Sequence, residues 1–213
     1  MVICNLGVTD YVATYMAMQQ FTKSRLPETE DEIWLTEHQA VYTHGLNRNQ
    51  LKLPLRRDIP FIMTDRGGKT TYHGPGQIII YPLIDLKRRN ILVRQWVTML
   101  EQSMLSVLAA QNISAYALQD APGVYVDINN ERHKIGALGL RVKNGFCYHG
   151  LSLNVKMDLE PFAAIDPCGY TGLKVTQLSD LGVNSGIKIN KDEITLNLLI
   201  ALENQLNLYE SNQ

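Results

Sequence analysis

Long apolar runs are missing from this 213-residue chain. Its most apolar stretches, Gln77 to Leu86 and Leu196 to Leu202, fall far short of the roughly 18 residues that a membrane-spanning helix needs. An excess of charge of one sign is also missing. Twenty basic residues face 21 acidic ones, for a formal net charge of −1, so no global field marks a nucleic-acid or membrane-surface binder. Cysteine is scarce: three thiols cannot build a disulfide framework, and the odd count leaves at least one free. The N-terminus shows no basic region followed by an apolar core and a cleavage site, so a reducing, cytoplasmic location is expected. No repeat, low-complexity tract or linker divides the chain, and residues 1–213 read as one domain.

With 45% hydrophobic residues the chain can bury a real core, and wholesale disorder is excluded. Three amphipathic helices are predicted. The first runs from Asp10, an N-cap, to Ser24, with Tyr11, Tyr15, Met18 and Thr22 on one side. The second spans Ile91 to Gln111, with Val93, Trp96, Val97, Leu100, Met104 and Leu108 at three-and-four spacing. The third follows Asn190, with Glu193 completing a capping box, and carries Ile194, Leu198, Ile200, Ala201 and Leu208. Strand-like runs cover Ile33 to Leu35, Ala40 to Thr43, Pro60 to Thr64, Gln77 to Tyr81 and Val124 to Ile128. Asn144-Gly145 is a strong two-residue hairpin turn, and Asn129-Asn130 a second one upstream, giving a three-strand meander. Strands in runs, without regular alternation with helices, imply an α+β fold with a mostly antiparallel sheet.

Two glycine-rich segments carry most of the chemistry. Asp65 to Gln77, DRGGKTTYHGPGQ, reads as a long shaped loop whose glycines admit close backbone approach to a ligand. It is not a Walker A loop, because the Gly-Lys-Ser/Thr ending is absent. In Lys134 to Val155, KIGALGLRVKNGFCYHGLSLNV, no helix follows the glycines, which rules out a dinucleotide fingerprint. Register set by the Asn144-Gly145 turn pairs Leu140 with His149 and Lys134 with Val155. Lys134, Gly136, Leu138, Leu153, Leu151 and His149 would then share a face, with a groove at Gly136 suited to a linear apolar ligand with a reactive head. An unbulged hairpin leaves Lys134 about 20 Å from the His149 pair.

Cys168, between Pro167 and Gly169, is the candidate nucleophile. Cys4, in an apolar strand, and Cys147, in the hairpin, read as packing residues. At an unperturbed pKa near 8.5 only about 3% of a thiol is ionised at pH 7, so Cys168 needs a base or cation beside it. The five histidines show no metal-ligand spacing. Lys87-Arg88-Arg89 with Arg94, and Arg56-Arg57, are local basic clusters, either solvated faces or docking sites for an acidic partner.

Taken together, the blocks resemble the lipoyl(octanoyl) transferases. Arg66 to Gln77 is similar to that family's R-G-G-x-x-T-Y-H-G-P-G-Q signature. Lys134-Ile135-Gly136 through His149-Gly150-Leu151-Ser152-Leu153-Asn154 is similar to its second block, and Pro167-Cys168-Gly169 to its third. Ser152 departs from the common alanine, a small change in the pocket.

The resemblance implies the fold of the biotin and lipoate protein ligase catalytic domain, with a mostly antiparallel or mixed sheet flanked by helices. It implies Cys168 and Lys134 as catalytic residues, with no metal and no cofactor. The implied acyl-binding residues are Arg66, Gly67, Gly68, Lys69, Thr70, Thr71, Tyr72 and His73, then Ala137, Leu138 and Gly139, then Gly150, Leu151 and Ser152. The donor would be octanoyl-acyl carrier protein. The acceptors would be lysines on lipoyl domains of 2-oxoacid dehydrogenases and on the glycine-cleavage H protein. Lys134 would deprotonate Cys168, a role that needs a partly apolar pocket to lower its own pKa. Thioester exchange followed by amide formation runs downhill and needs no ATP. An ATP-dependent lipoate or biotin ligase, a non-catalytic acyl-carrier-binding module and a cysteine hydrolase are the alternatives.

Overall fold

A computed structural model describes residues 1–47, 51–166, 172–182 and 189–211. In chain order the elements are β1 (Val2–Thr9), α1 (Tyr11–Ser24), β2 (Glu32–His38), β3 (Val41–His44), β4 (Phe61–Met63), β5 (Thr70–His73) and β6 (Gln77–Asp85). They continue with α2 (Val93–Ala110), β7 (Tyr116–Ala117), β8 (Gly123–Ile128), β9 (Glu131–Lys143) and β10 (Phe146–Asn154). A 3₁₀ turn (Glu160–Ala164), β11 (Lys174–Val175), α3 (Leu178–Gly182) and α4 (Lys191–Ser211) complete the chain.

The main sheet has the order β1-β2-β6-β10-β9-β8-β7, with β11 joining β9; a small sheet has the order β4-β3-β5. Most pairs are antiparallel, but β1–β2, β3–β4 and β11–β9 are parallel, so the sheet is mixed. The meander forms where the turn chemistry places it. Asn129, Asn130 and Asn144 hold φ of 53°, 62° and 54° and Gly145 holds 92°, the left-handed values that such turns require.

Strand β6 is buried along its whole length, and its alternation assigns two cores. Ile78, Ile80 and Ile84 face the larger core with α2 and α4, where Trp96, Leu100, Met104 and Leu108 of α2 are fully buried. Ile79, Tyr81 and Leu83 face Met18 of α1 and Tyr148. Each such side chain contributes about 1.5–3 kcal/mol of burial free energy. Helix α1 starts where expected: the Asp10 carboxylate accepts from the Ala13 N–H at 2.9 Å.

Three sequence expectations about these elements change. The glycine-rich loop is interrupted by strand β5, because Thr70–His73 pairs with β3. On α4 the buried stripe is Ile194, Leu198, Leu202 and Leu206, whereas Ile200 and Leu208 are exposed; the four-residue spacing is one ridge of α4, the helix that packs on α2. Cys4 is not a core residue. It sits half-buried on the largely exposed edge strand β1, its thiol 3.8 Å from the Glu32 carboxylate.

Arg88 and Arg89 of one basic cluster, and Arg56 of the other, are used within the fold. Asp31, with a side chain 1% exposed, accepts from Arg25 at 2.5 Å, Arg89 at 2.7 Å and Arg88 at 2.8 Å. Arg56 pairs with Asp58 and Glu160. Cys147 is a core residue as expected; burial pushes its thiol up to about 12, which keeps it inert.

Candidate active site

The hairpin β9–β10 is the base of the site. Its register runs Gly150↔Gly139, Leu151↔Leu138, Ser152↔Ala137 and Leu153↔Gly136, as the turn dictates. The β8–β9 ladder ends at Gly123↔Ala137. Beyond that point the glycine-rich loop takes over, and the Gly67 N–H donates to the Leu140 carbonyl at 2.8 Å. Arg66 holds this loop in shape. Its buried guanidinium donates to the Thr43 carbonyl (2.7 Å), the Thr43 hydroxyl (2.8 Å) and the carbonyls of Lys69 and Gly67 (both 2.8 Å). Gly139 lies close beneath it: a Cβ there would stand 3.1 Å from Arg66 Cδ and 3.2 Å from the Gly67 oxygen, a tight contact to which the loop would have to yield.

These elements enclose a cavity of about 570 Å³. Every implied acyl-binding residue except one lines it: Arg66, Gly67, Gly68, Lys69, Thr70, Thr71 and His73, with Ala137, Leu138, Gly139, Gly150, Leu151 and Ser152. The exception is Tyr72, which alternation along β5 turns away. Its ring packs instead on Tyr42 (5.5 Å) and Phe162 (5.4 Å) in a separate core. Val93 and Val97, read from sequence as core positions of α2, line the cavity as well.

Lys134 reaches the cavity through a β-bulge. Register shifts from Val124↔Gly136 to Tyr125↔Lys134, leaving Ile135 as the extra residue. Ile135 is fully buried in the larger core, Gly136 lies under Met104, and Lys134 shares a face with its partner Tyr125. The expected grouping of Lys134 with Gly136 on one face is therefore overturned, and the groove is not at Gly136. Lys134 Nζ donates to the Pro122 carbonyl at 2.9 Å and the Tyr125 hydroxyl at 3.2 Å, 5.1 Å from the Tyr125 ring centre. Gly123 makes room for it: φ is 132°, and a Cβ would fall 2.6 Å from Lys134 Cε. The Gly123 N–H in turn donates to buried Glu101 of α2 at 2.9 Å. Cys168 lies outside the described residues.

Behind His149 of the cavity wall stands a polar cluster whose bonds the sequence did not announce. Asp65 Oδ1 accepts from His149 Nε2 at 2.9 Å and Asp65 Oδ2 from the Tyr148 hydroxyl. Burial opposes the Asp65 charge, but these hydrogen bonds with that of Tyr15 hold its carboxyl well below the usual carboxylate range. An ionised Asp65 fixes the His149 proton on Nε2, and burial first of all lowers the His149 pKa. His149 φ is 58°, which turns its ring to the side where Tyr148 lies (5.1 Å) and against Tyr15 (5.2 Å). Nearby, His73 bonds Gln77 at 2.8 Å and burial pushes it down to about 3. His38 bonds the Tyr81 hydroxyl at 2.7 Å and burial brings it to about 4. The sequence signal for Asp65 was its place directly before Arg66, and for Tyr81 its place just beyond the glycine-rich block that carries the resemblance; for Tyr11, which like Tyr81 lines the cavity, there was none beyond core patterning. Among the described residues no group of three or more His, Cys, Asp or Glu side chains could hold a metal ion, and no helix is long and apolar enough to cross a membrane.

The family model of the lipoyl protein ligase A/B catalytic domain matches residues 11–197. An octanoyltransferase of Chromobacterium violaceum is 51% identical over 193 residues, covering 91% of each chain. Another, from Thiobacillus denitrificans, is 50% identical over 92% of this chain and 88% of its own. The chain belongs to this family and, within it, to the octanoyltransferases.

Solved structures show how far the family fold extends. A bipartite lipoate protein ligase from Thermoplasma acidophilum superposes with a TM-score of 0.73 at 14% identity, over 97% of this chain and 83% of that one. The biotin protein ligase of Aquifex aeolicus superposes at 0.56 with 12% identity, over 99% of this chain and 71% of its own. At such low identity the likeness shows the fold alone: the expected ligase-type sheet flanked by helices is what the octanoyltransferase family uses here.

Proposed function

We propose that the chain, as one catalytic domain in a reducing cytoplasm, moves an octanoyl group from octanoyl-acyl carrier protein to a lysine of a lipoyl domain through a thioester on Cys168. The acceptors are the lipoyl domains of 2-oxoacid dehydrogenases and the glycine-cleavage H protein. The observation that carries this reading is Lys134, which a bulge places in the wall of a cavity formed by the segments expected to bind an acyl chain.

Lys134 takes the proton of Cys168, and the thiolate attacks the thioester carbonyl. The tetrahedral oxyanion is met by backbone N–H groups, and the carrier thiol leaves, taking up a proton. The acceptor lysine, deprotonated by Lys134, then attacks the acyl-enzyme. An amide bond forms, the carbon–sulfur bond breaks, and the Cys168 thiol is restored. Chain continuity supports the pairing of these two residues: β11 begins six residues after Cys168, and its Val175 lies alongside Lys134.

The test is intact mass after incubation with octanoyl-acyl carrier protein. A hydroxylamine-labile octanoyl adduct is expected on the wild-type chain and not on Cys168→Ala, and Lys134→Ala should lose at least about a hundredfold in acylation rate. The shared ligase fold raises an adenylate-forming alternative. Acceptor labelling that requires ATP, with no adduct on the enzyme, would establish that alternative and defeat the transferase.

A further inference from the structure

Glu101 is a carboxylate in an apolar place. It is buried on α2 alongside Leu100 and Met104 of the larger core, only 8% exposed. A charge there costs free energy unless something answers it. It does not border the cavity, so it touches no acyl chain. Its partner is the Pro122–Gly123 peptide, and the same peptide faces Lys134. Glu101 Oε1 accepts from the Gly123 N–H at 2.9 Å, and the Pro122 carbonyl accepts from Lys134 Nζ at 2.9 Å. The N–H and C=O of a trans peptide point in opposite directions, so carboxylate and amine hold the two ends of one rigid unit. Bond lengths put the peptide N and O about 2.3 Å apart, which leaves Glu101 Oε1 and Lys134 Nζ at most about 8 Å from each other.

The neighbouring groups fix the segment in this attitude. The Tyr125 hydroxyl donates to the Ala121 carbonyl at 2.9 Å, so it meets Nζ, 3.2 Å away, as an acceptor. Gly123 supplies the bend, with φ 132°, a backbone that residues with a Cβ rarely adopt. Burial raises the Glu101 carboxyl, and the Gly123 N–H and the proximity of Lys134 oppose that rise. Other ionisable groups on the elements around Lys134 are Tyr125 of β8, Asp120 in the same cavity wall, Arg132 and His133 of β9, and Lys174 of β11, which pairs with Glu131.

We infer that Glu101 is a positioning residue for Lys134: through the Pro122–Gly123 peptide it aims the Pro122 carbonyl at Nζ and, by its negative charge, makes the amine a stronger base. The inference rests on the transferase reading above, in which Lys134 takes the Cys168 proton. Glu101 then stands to Lys134 as the buried carboxylate of a catalytic triad stands to its base, with one peptide between them. A carboxylate at one end of a peptide polarises it, and the carbonyl at the other end becomes the better acceptor. The cation that forms on Nζ meets two oxygens and, at an effective dielectric of about 20, a carboxylate about 8 Å away, enough for at least about tenfold in proton affinity.

The experiment follows the pH dependence of the Lys134 Cε signal by NMR in the full chain carrying isotope-labelled lysine, assigned through Lys134→Arg. Octanoyl-adduct formation from octanoyl-acyl carrier protein is measured over the same pH range. Glu101→Gln keeps an acceptor for the Gly123 N–H and removes the charge, while every other ionisable group stays in place. Its Lys134 midpoint should fall by about one pH unit. Acylation should set in at correspondingly lower pH and reach a plateau about threefold lower, because a weaker base takes the thiol proton less readily. Glu101→Leu should lower the midpoint as far and cost at least about tenfold in acylation, since the carbonyl is no longer held. A residue that only packs α2 against β8 would leave the midpoint of the Gln variant unmoved, and that result overturns the inference. A folded Leu variant that acylates at the wild-type rate overturns it as well. Absence of an octanoyl adduct on the wild-type chain overturns the transferase reading instead, and the NMR midpoints alone then decide whether Glu101 acts on Lys134.

Discussion

Asp31 shows how much a single side chain carries here. Its carboxylate takes hydrogen bonds from three arginines and from the Asp85 N–H at 2.9 Å. Burial alone would raise its pKa; the hydrogen bonds from the Asp85 N–H, Arg89 and Arg25 win and lower it. Removing it strands Arg25, 1% exposed, as an uncompensated buried charge. Asp31→Ala should therefore cost about 3–5 kcal/mol, read from the urea midpoint at pH 7. A loss below about 1 kcal/mol would show that water reaches Arg25 in its place. The sequence offered Arg88 and Arg89 as a basic cluster with two readings. The acid that occupies them lies some 57 residues away, and nothing in local spacing announces it. His149 is the same lesson in reverse: its presence in the glycine-rich block was legible, but its strained backbone and bond to Asp65 were not.

At the scale of elements, the bulge in β9 decides the chemistry. Strand periodicity of two places Lys134 with Gly136, and one extra residue at Ile135 flips it to the opposite face. The meander, its turns and its register follow from Asn and Gly positions that local sterics govern, so they could be read directly. A bulge answers to both neighbouring strands at once and cannot be. Gly123 is the matching feature on β8, joined to α2 through Glu101. Gly123→Ala should displace the Lys134 side chain, since its Cβ would overlap Cε. Loss of acylation by at least about tenfold is expected, with a stability cost of about 1–3 kcal/mol. Wild-type acylation in that variant would remove Lys134 geometry from the mechanism. Helix α4 makes the same point mildly: Asn190 caps the Asp192 and Glu193 N–H groups, as local chemistry dictates, but which apolar stripe is buried depends on the sheet and on α2.

The molecule as a whole holds several imidazoles neutral. His38 and His73 lie at about 4 and about 3, mainly through burial, and His149 is lowered as well. Their folded pKa values sit below the unfolded value near 6.5, so between these limits the unfolded chain binds more protons. Stability is therefore intact above about pH 6.5 and falls as pH drops. From pH 7 to pH 5 the loss should be about 2 kcal/mol per imidazole, or about 4 kcal/mol for His38 and His73 together. Equilibrium unfolding in urea at the two pH values measures it, and equal midpoints would mean that these rings are solvated. Asp31 and Asp65, both lowered, extend the decline below pH 4.

By itself, the sequence determined the class of the sheet, the helices, the hairpin register and the segments that meet at the cavity. Each depends on periodicity, turn sterics or short-range spacing, which neighbours in the chain settle among themselves. Tertiary structure alone decided which face Lys134 occupies, that Tyr72 turns away, where the arginines find their partners, and that Asp65 orients His149 in the cavity wall. Those outcomes depend on competition for space and hydrogen bonds between residues far apart in sequence, and only the packed fold resolves that competition.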